Sequence, residues 1–137
     1  MIVLFTGSRD WKDRDSVRRV LESLREEHGL NLTVVEGGAD GLDTIARELC
    51  HELGVDVITY WANWKGRSTP REDGGVSYWA GPWRNQRMLD HARPNRAYAF
   101  HPFIDRSKGT KDMVGKLREA GVPTVVCTPT RKGELVQ

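Results

Sequence analysis

The sequence has little cysteine, no long hydrophobic run and almost no excess charge of either sign. Its two cysteines, Cys50 and Cys127, lie in apolar segments, which indicates reduced core thiols rather than a disulfide scaffold. Neither the cysteines nor the scattered histidines have the spacing of zinc ligands, so no metal is expected. No apolar run approaches the roughly 20 residues of a membrane-spanning helix, so no membrane partner is expected.

Several common catalytic and nucleotide-binding motifs are also absent. The sequence has neither GxGxxG after its first apolar run nor GxxxxGK[ST], which argues against a conventional dinucleotide dehydrogenase and a P-loop ATPase. A Gly-x-Ser-x-Gly nucleophile elbow is missing as well. Any ligand site must therefore be built from other loops.

Charge and the start of the chain limit the classes of partner. There are 21 basic and 19 acidic residues, a net charge of +2, which is small for a protein that binds a nucleic-acid backbone. Nucleic acid is therefore not the expected partner. Residues 1–6 are too short and too quickly polar for a secretory signal, so we expect a cytoplasmic protein. The sequence leaves a homo-oligomer open.

Strands alternate with helices along what we interpret as one domain, residues 1–128. Apolar, β-branched runs predict strands at 2–6, 32–36, 55–60, 96–100 and 123–127. Helical spacing and capping signals predict helices at 15–28, 42–53, 82–92 and 110–120, the last capped by Thr110. Residues 61–81 are predicted to form a long loop, and 129–137 a tail.

This alternation predicts a three-layer α/β domain with a five-stranded parallel sheet, because parallel neighbours need right-handed helical crossovers. Winding outward from the first strand and then back across it gives the strand order 3-2-1-4-5. The ligand crevice is expected at the carboxyl ends of strands one and four. The loops 6–13, 37–43 and 101–110 would meet there.

Glycine in these loops allows a close approach of backbone to ligand. Gly7-Ser8-Arg9 offers amides and a guanidinium to an oxyanion, or else forms a tight turn with a surface arginine. The glycines at 37, 38 and 41 lead into a helix N-terminus, which favours anions. Asp40 and Asp43 either cap that helix or accept hydrogen bonds from ribose hydroxyls.

The third loop and the helix before it add polar groups. Gly109 permits close approach, and Thr110 is either a helix cap or a phosphate donor. Arg84 and Arg87 share a helix face, where they either reach an anion or are solvated. Four tryptophans crowd the long loop and either stack a base or pin the loop to the domain: Trp61, Trp64, Trp79 and Trp83.

Five stretches carry a family resemblance: Gly7-Ser8-Arg9-Asp10-Trp11, Glu36-Gly37-Gly38-Ala39-Asp40-Gly41-Leu42-Asp43, Ala62-Asn63-Trp64, Ala80-Gly81-Pro82-Trp83-Arg84-Asn85-Gln86-Arg87-Met88 and Gly109-Thr110-Lys111-Asp112-Met113. In this order they resemble the YspA/YpsA-related branch of the SLOG superfamily, common in phages and bacteria, over nearly the whole chain. The resemblance implies a Rossmann-like fold that binds nucleotides or nucleotide-derived molecules. Relative to that branch, residues 67–79 resemble an insertion.

The superfamily also includes the Lonely Guy phosphoribohydrolases, whose PGGxGTxxE motif supplies a catalytic glutamate. Gly109 and Thr110 match that motif, but Met113 stands at the glutamate position and Asp112 lies one residue early. The resemblance therefore implies an alternative, a phosphoribohydrolase-like hydrolase that cleaves an N-glycosidic or phosphate bond. Its candidate catalytic carboxylates are Asp40, Asp43 and Asp112.

The expected function is binding or sensing of a small nucleotide derivative, such as an ADP-ribose-like compound, with no cofactor beyond that ligand. The predicted ligand-binding residues are Gly7, Ser8, Arg9, Gly37, Gly38, Asp40, Asp43, Arg84, Asn85, Gly109 and Thr110. Phosphate is expected on the amides of residues 7–9 and 109–110. A module for single-stranded nucleic acid that uses the tryptophans is a second alternative.

Overall fold

A computed structural model describes residues 1–62, 80–129 and 135–136. The elements in these residues are β1 (Ile2–Gly7), α1 (Arg14–His28), β2 (Thr33–Glu36), α2 (Leu42–Leu53), β3 (Asp56–Thr59), α3 (Ala80–Ala92), β4 (Arg96–Phe100), a 3₁₀ turn (Ile104–Arg106), α4 (Gly109–Glu119), β5 (Thr124–Pro129) and β6 (Leu135–Val136). None of the helices described is long and apolar enough to cross a membrane. The predicted insertion at 67–79, which includes Trp79, lies outside the described residues, and so does Trp64.

The strands form one sheet in the order β3-β2-β1-β4-β5-β6. β1 is central and pairs in parallel with two neighbours, with Leu4 opposite Val35 of β2 and Ala97 of β4. β3 and β5 continue the parallel sheet on either side. The predicted order 3-2-1-4-5 is confirmed. Beyond it, β6 pairs antiparallel with β5, within the segment that the sequence analysis treats as a tail.

Helices cover both faces of the sheet. Successive side chains of β1 point to opposite faces, so they pack into two different apolar clusters. Val3 and Phe5 pack with α1 and α2 in one cluster. Leu4 packs with Met88 of α3 and Met113 of α4 in the other cluster. The chain is therefore the three-layer α/β domain that the alternation of elements predicts.

The N-termini of α2, α3 and α4 differ from the predictions in their first residue or in their cap. α3 begins at Ala80, two residues before the predicted start at Pro82. Thr110 lies inside α4 and does not cap it, since the Thr110 amide donates to Ser107 Oγ at 3.0 Å. At α2 the N-cap is Gly41 without a side-chain hydrogen bond, so capping by an aspartate is wrong there.

Candidate functional site

The ends of β1 and β4 pack closely against the start of α2. A Cβ at Gly7 would lie 2.4 Å from the Phe100 oxygen and 2.6 Å from Leu42 Cγ, so only glycine fits. The Ser8 amide donates to the Phe100 oxygen at 2.9 Å, and the Ser8 oxygen accepts from the Leu42 amide at 3.0 Å. Three segments that are distant in sequence are thereby fixed at the carboxyl edge of the sheet.

A cavity of about 550 Å³, here called the larger cavity, opens at this edge. Its walls bring together these predicted site residues: Gly7, Ser8, Arg9, Asp43, Arg84, Asn85, Gly109, Thr110 and Asp112. Thr6, Asp10, His101, Ser107 and Lys108 also line it. Loops from the ends of β1, β2 and β4 therefore share one space with the N-terminus of α4.

A second cavity of about 320 Å³, the smaller cavity, adjoins the larger one. It holds the remaining predicted site residues, Gly37, Gly38 and Asp40, together with Trp61 and Ala62. Arg9, Ala39 and Arg84 line both cavities. The two arginines therefore stand at the junction of the two spaces.

An open groove of about 720 Å³ lies elsewhere, between the C-terminal halves of α3 and α4. Its walls include Arg93 and Pro94, just before β4, and Val122, just before β5. This places the groove at the amino ends of the strands, whereas open parallel sheets bind ligands beyond the carboxyl ends. The two adjoining cavities are therefore the candidate site.

The amides of the glycine loop after β2 already bind carboxylates of the protein itself. Asp43 Oδ2 accepts from the Gly37 and Ala39 amides, each at 3.2 Å. Glu36 Oε2 accepts from the Gly38 amide at 3.1 Å. The loop therefore has the form of an anion-binding nest whose anions are internal side chains.

The predicted phosphate contacts to backbone amides need a correction at two residues. The Ser8 amide donates to the Phe100 oxygen, and the Thr110 amide donates to the Ser107 hydroxyl. Neither amide is available to a ligand without breaking these bonds. An anion in the larger cavity would therefore depend mainly on charged side chains and on the dipole at the start of α4.

Arg84 begins a chain of hydrogen bonds that joins the glycine loop to α4. Its Nη1 donates to the Gly37 oxygen, and its Nε donates to Asn85 Oδ1 at 2.9 Å. The buried Asn85 in turn donates from Nδ2 to Asp112 Oδ2 at 3.0 Å, and Asp112 Oδ1 accepts from Lys116. The Arg84 guanidinium is thus held in one orientation between the two cavities.

Burial and nearby charges shift the pKa of the Arg84 guanidinium. Burial lowers the pKa of its guanidinium, and the nearby charge of Arg9 lowers it too, whereas the Asp43 and Glu36 carboxylates oppose this. Arg84 is partly buried and Arg9 is exposed, and their like charges disfavour each other. An anionic group between them would attract both.

Asp43 is the most strongly perturbed carboxyl group of the candidate site. Burial raises its pKa to about 7, and repulsion from Glu36 raises it as well, against the hydrogen bonds of the loop amides. Its Oδ1 is enclosed and has no hydrogen-bond partner among the described residues. Burial also raises the pKa of Glu36, whose side chain is fully buried.

We expect the protein to become less stable as pH rises from 6 to 8, and Asp43→Asn to remove much of this loss. The folded state holds a proton on Asp43 up to about pH 7, while the unfolded chain, with an ordinary pKa near 3.8, has released it. The free energy of unfolding therefore falls over this window, by about 1 kcal/mol from this group. Urea unfolding at pH 6, 7 and 8 measures it. Equal slopes for the two proteins would contradict the assignment.

Two lining or supporting residues escape the sequence analysis. Glu36 is the last residue of a predicted strand and the first of a resemblance stretch but is not predicted as a site residue, yet it is fully buried and its carboxylate accepts from the Gly38 amide. His101 lines the larger cavity, where burial lowers its pKa. Its Nδ1 accepts from the Phe103 amide at 2.9 Å, so the neutral ring carries its proton on Nε2. The only sequence signal for the role of Glu36 is its position directly before two glycines.

Comparisons with known proteins agree on the family and on the fold. A model of the YspA, cpYpsA-related SLOG family matches residues 1–66. The Gene 61 protein of Mycobacterium phage D29 is 32% identical over 128 residues, which cover 90% of this chain and 93% of that protein. The match to the phage protein extends the likeness well beyond the region matched by the family model.

Two solved structures are similar in fold. MurG of Acinetobacter baumannii matches with a TM-score of 0.59 and 9% identity, over 93% of this chain and 35% of that one. DNA processing protein A (DprA) of Streptococcus pneumoniae matches with a TM-score of 0.48 and 18% identity, over 90% of this chain and 57% of that one. The chain thus spans about a third and just over half of these two proteins. At 9% identity the likeness to MurG shows the fold alone.

Proposed function

This chain belongs to the YspA, cpYpsA-related SLOG family, and we propose that it binds a nucleotide or nucleotide-derived ligand at the carboxyl edge of its sheet. The family resemblance implies such a ligand, and the Rossmann-like fold offers a crevice at the switch between β1 and β4. The proposal describes a binding or sensing domain.

One observation carries the proposal: Arg9 and Arg84 stand where two adjoining cavities meet. The cavities measure about 550 and 320 Å³, each within the usual range of about 300 to 1,000 Å³ for small-molecule sites. The larger one also meets the N-terminus of α4, where first-turn amides lack partners within the helix. A ligand with an anionic group and a second moiety suits this shape.

In this arrangement the phosphate lies between the arginines and the start of α4. Lys108 lines the same wall and adds positive charge. Asp40, exposed in the smaller cavity, is the carboxylate that accepts hydrogen bonds from ribose hydroxyls. Asp43 is a weaker candidate for that contact, because its Oδ2 holds two loop amides and its Oδ1 is enclosed.

The same contacts favour binding over hydrolysis, although Asp43 has the near-neutral pKa of about 7 that suits general acid-base catalysis. A catalytic carboxylate must reach a water or the leaving group. The free oxygen of Asp43 is enclosed, and both oxygens of Asp112 are held, by Asn85 and by Lys116. Neither group is placed to activate water.

A thermal-shift screen with AMP, ADP-ribose and NAD tests the proposal. A compound present at a hundred times its dissociation constant should add about 2.7 kcal/mol to the free energy of unfolding. All three compounds should be recovered intact after incubation with the protein. A single-stranded oligonucleotide should give no shift at physiological salt, given the net charge of +2.

Each other result would count against a stated part of the proposal. A flat screen across nucleotides and their derivatives would contradict nucleotide binding. Steady release of base or phosphate, abolished by Asp112→Asn, would show that the protein is a hydrolase instead. A shift given by the oligonucleotide alone would favour a nucleic-acid module.

A further inference from the structure

Trp61 is fixed in place and yet largely open to solvent. It lies two residues after the end of β3, and 59% of its surface is exposed. A Cβ at Gly38 would lie 2.5 Å from Trp61 Cε3, so the indole rests directly on the glycine loop. The Arg47 guanidinium carbon lies 5.2 Å from the ring centre, and Arg87 donates to the Trp61 oxygen at 3.0 Å. A large aromatic ring is therefore held on the loop with much of its surface uncovered.

The exposed indole forms a wall of the smaller cavity. Arg9 and Arg84 line the same cavity and mark its junction with the larger one. A ligand with its anionic group beside these arginines can place a flat group against Trp61 without leaving the two cavities. Stacking on tryptophan accepts any planar ring and is favourable whichever base is present.

We propose that the smaller cavity is a nucleobase subsite, in which the base of the ligand stacks on Trp61. The subsite rests on the proposed function, and it assigns each part of the nucleotide to a place in the two cavities. The base occupies the smaller cavity, the ribose lies beside Asp40, and the phosphate extends past Arg84 toward α4. The subsite explains why a largely exposed tryptophan lines the smaller cavity.

The test compares ligands with and without a base. Affinities for AMP, GMP, CMP, UMP and ribose 5-phosphate are measured by calorimetry on the wild type, Trp61→Ala and Trp61→Phe. Trp61→Ala should weaken the best-bound nucleotide about tenfold to a hundredfold and change the affinity for ribose 5-phosphate less than about twofold. Trp61→Phe should retain most of the affinity, since it keeps an aromatic face.

Trp83→Ala is the matched control. Trp83 is 55% exposed on α3 and lines neither cavity, so its removal should leave all five affinities unchanged. Circular dichroism melting of each variant shows whether it is folded at the temperature of the titrations.

The outcomes separate the subsite from the proposed function. An equal loss of affinity for nucleotides and ribose 5-phosphate in Trp61→Ala would overturn the subsite and show that Trp61 only supports the loop. Unchanged nucleotide affinity in Trp61→Ala would overturn it as well. If the wild type binds neither the nucleotides nor ribose 5-phosphate, the proposed function fails and the subsite with it.

Discussion

Gly41→Ala is expected to lower the free energy of unfolding by about 3 kcal/mol and the melting temperature by roughly 10 °C. Gly41 has φ +73°, and an added Cβ would lie 2.3 Å from the Arg9 oxygen and 2.5 Å from the Ser8 oxygen. The Ser8 oxygen cannot easily move aside, because it accepts from the Leu42 and Trp11 amides at 3.0 and 3.3 Å. Urea denaturation and thermal melting measure the loss.

Gly29→Ala is the matched control for Gly41→Ala. Gly29 ends α1 with φ +59° and ψ −132°, close to the φ +73° and ψ −119° of Gly41, but a Cβ there would meet nothing within 4 Å. This variant should therefore lose only the conformational part, about 1 kcal/mol. The difference between the two variants measures the close contact of the loops after β1 and β2. Equal losses would show that this contact has no energetic weight.

The sequence predicts the fold well because the fold depends on local patterns. Val17, Leu21 and Leu24 recur at helical spacing and do pack α1 against the sheet. The order of five parallel strands follows from right-handed crossovers that wind outward from β1 and then back across it. β6 has only two residues, Leu135 and Val136, which is too short for any strand pattern to show.

The gathering of the loops at one edge also follows from the sequence, since parallel strands end together. The sequence does not predict which backbone amides remain open to a ligand, because that depends on nearby side chains. Thr110 lies inside α4, and its amide donates to the hydroxyl of Ser107, one turn earlier, while Lys108 at the N-cap makes no side-chain hydrogen bond. Asp43 turns back to the loop before its helix, a choice set by burial rather than by spacing.

The internal carboxylates change where an anionic ligand can bind. Because Glu36 and Asp43 already hold three successive amides of the loop, a phosphate there would meet negative charge at close range. The positive side chains of Arg9 and Arg84 lie next to that loop, on the side of the cavities. The carboxylates thus orient the loop, and the two arginines line the cavities in which an anionic ligand would lie.

Arg84→Met is therefore expected to weaken the binding of the best nucleotide from the screen by about a hundredfold. Arg84 lines both cavities, and its guanidinium is oriented by the Gly37 oxygen and Asn85 Oδ1. Losing a charge-assisted contact of about 2 to 3 kcal/mol corresponds to such a change. Calorimetry at 50 and 200 mM salt measures the affinity, and the salt dependence should be weaker in the variant than in the wild type.

Two further variants separate a local contact from a general effect of charge. Arg84→Lys keeps the charge but cannot reproduce the planar fork to Gly37 and Asn85, so it should lose about tenfold in affinity. Arg118→Met removes one positive charge from an exposed position on α4 that lines neither cavity, and should change the affinity less than about twofold. Equal losses in Arg84→Met and Arg118→Met would mean that only the overall positive charge attracts the ligand. Wild-type affinity in Arg84→Met would place the anion elsewhere.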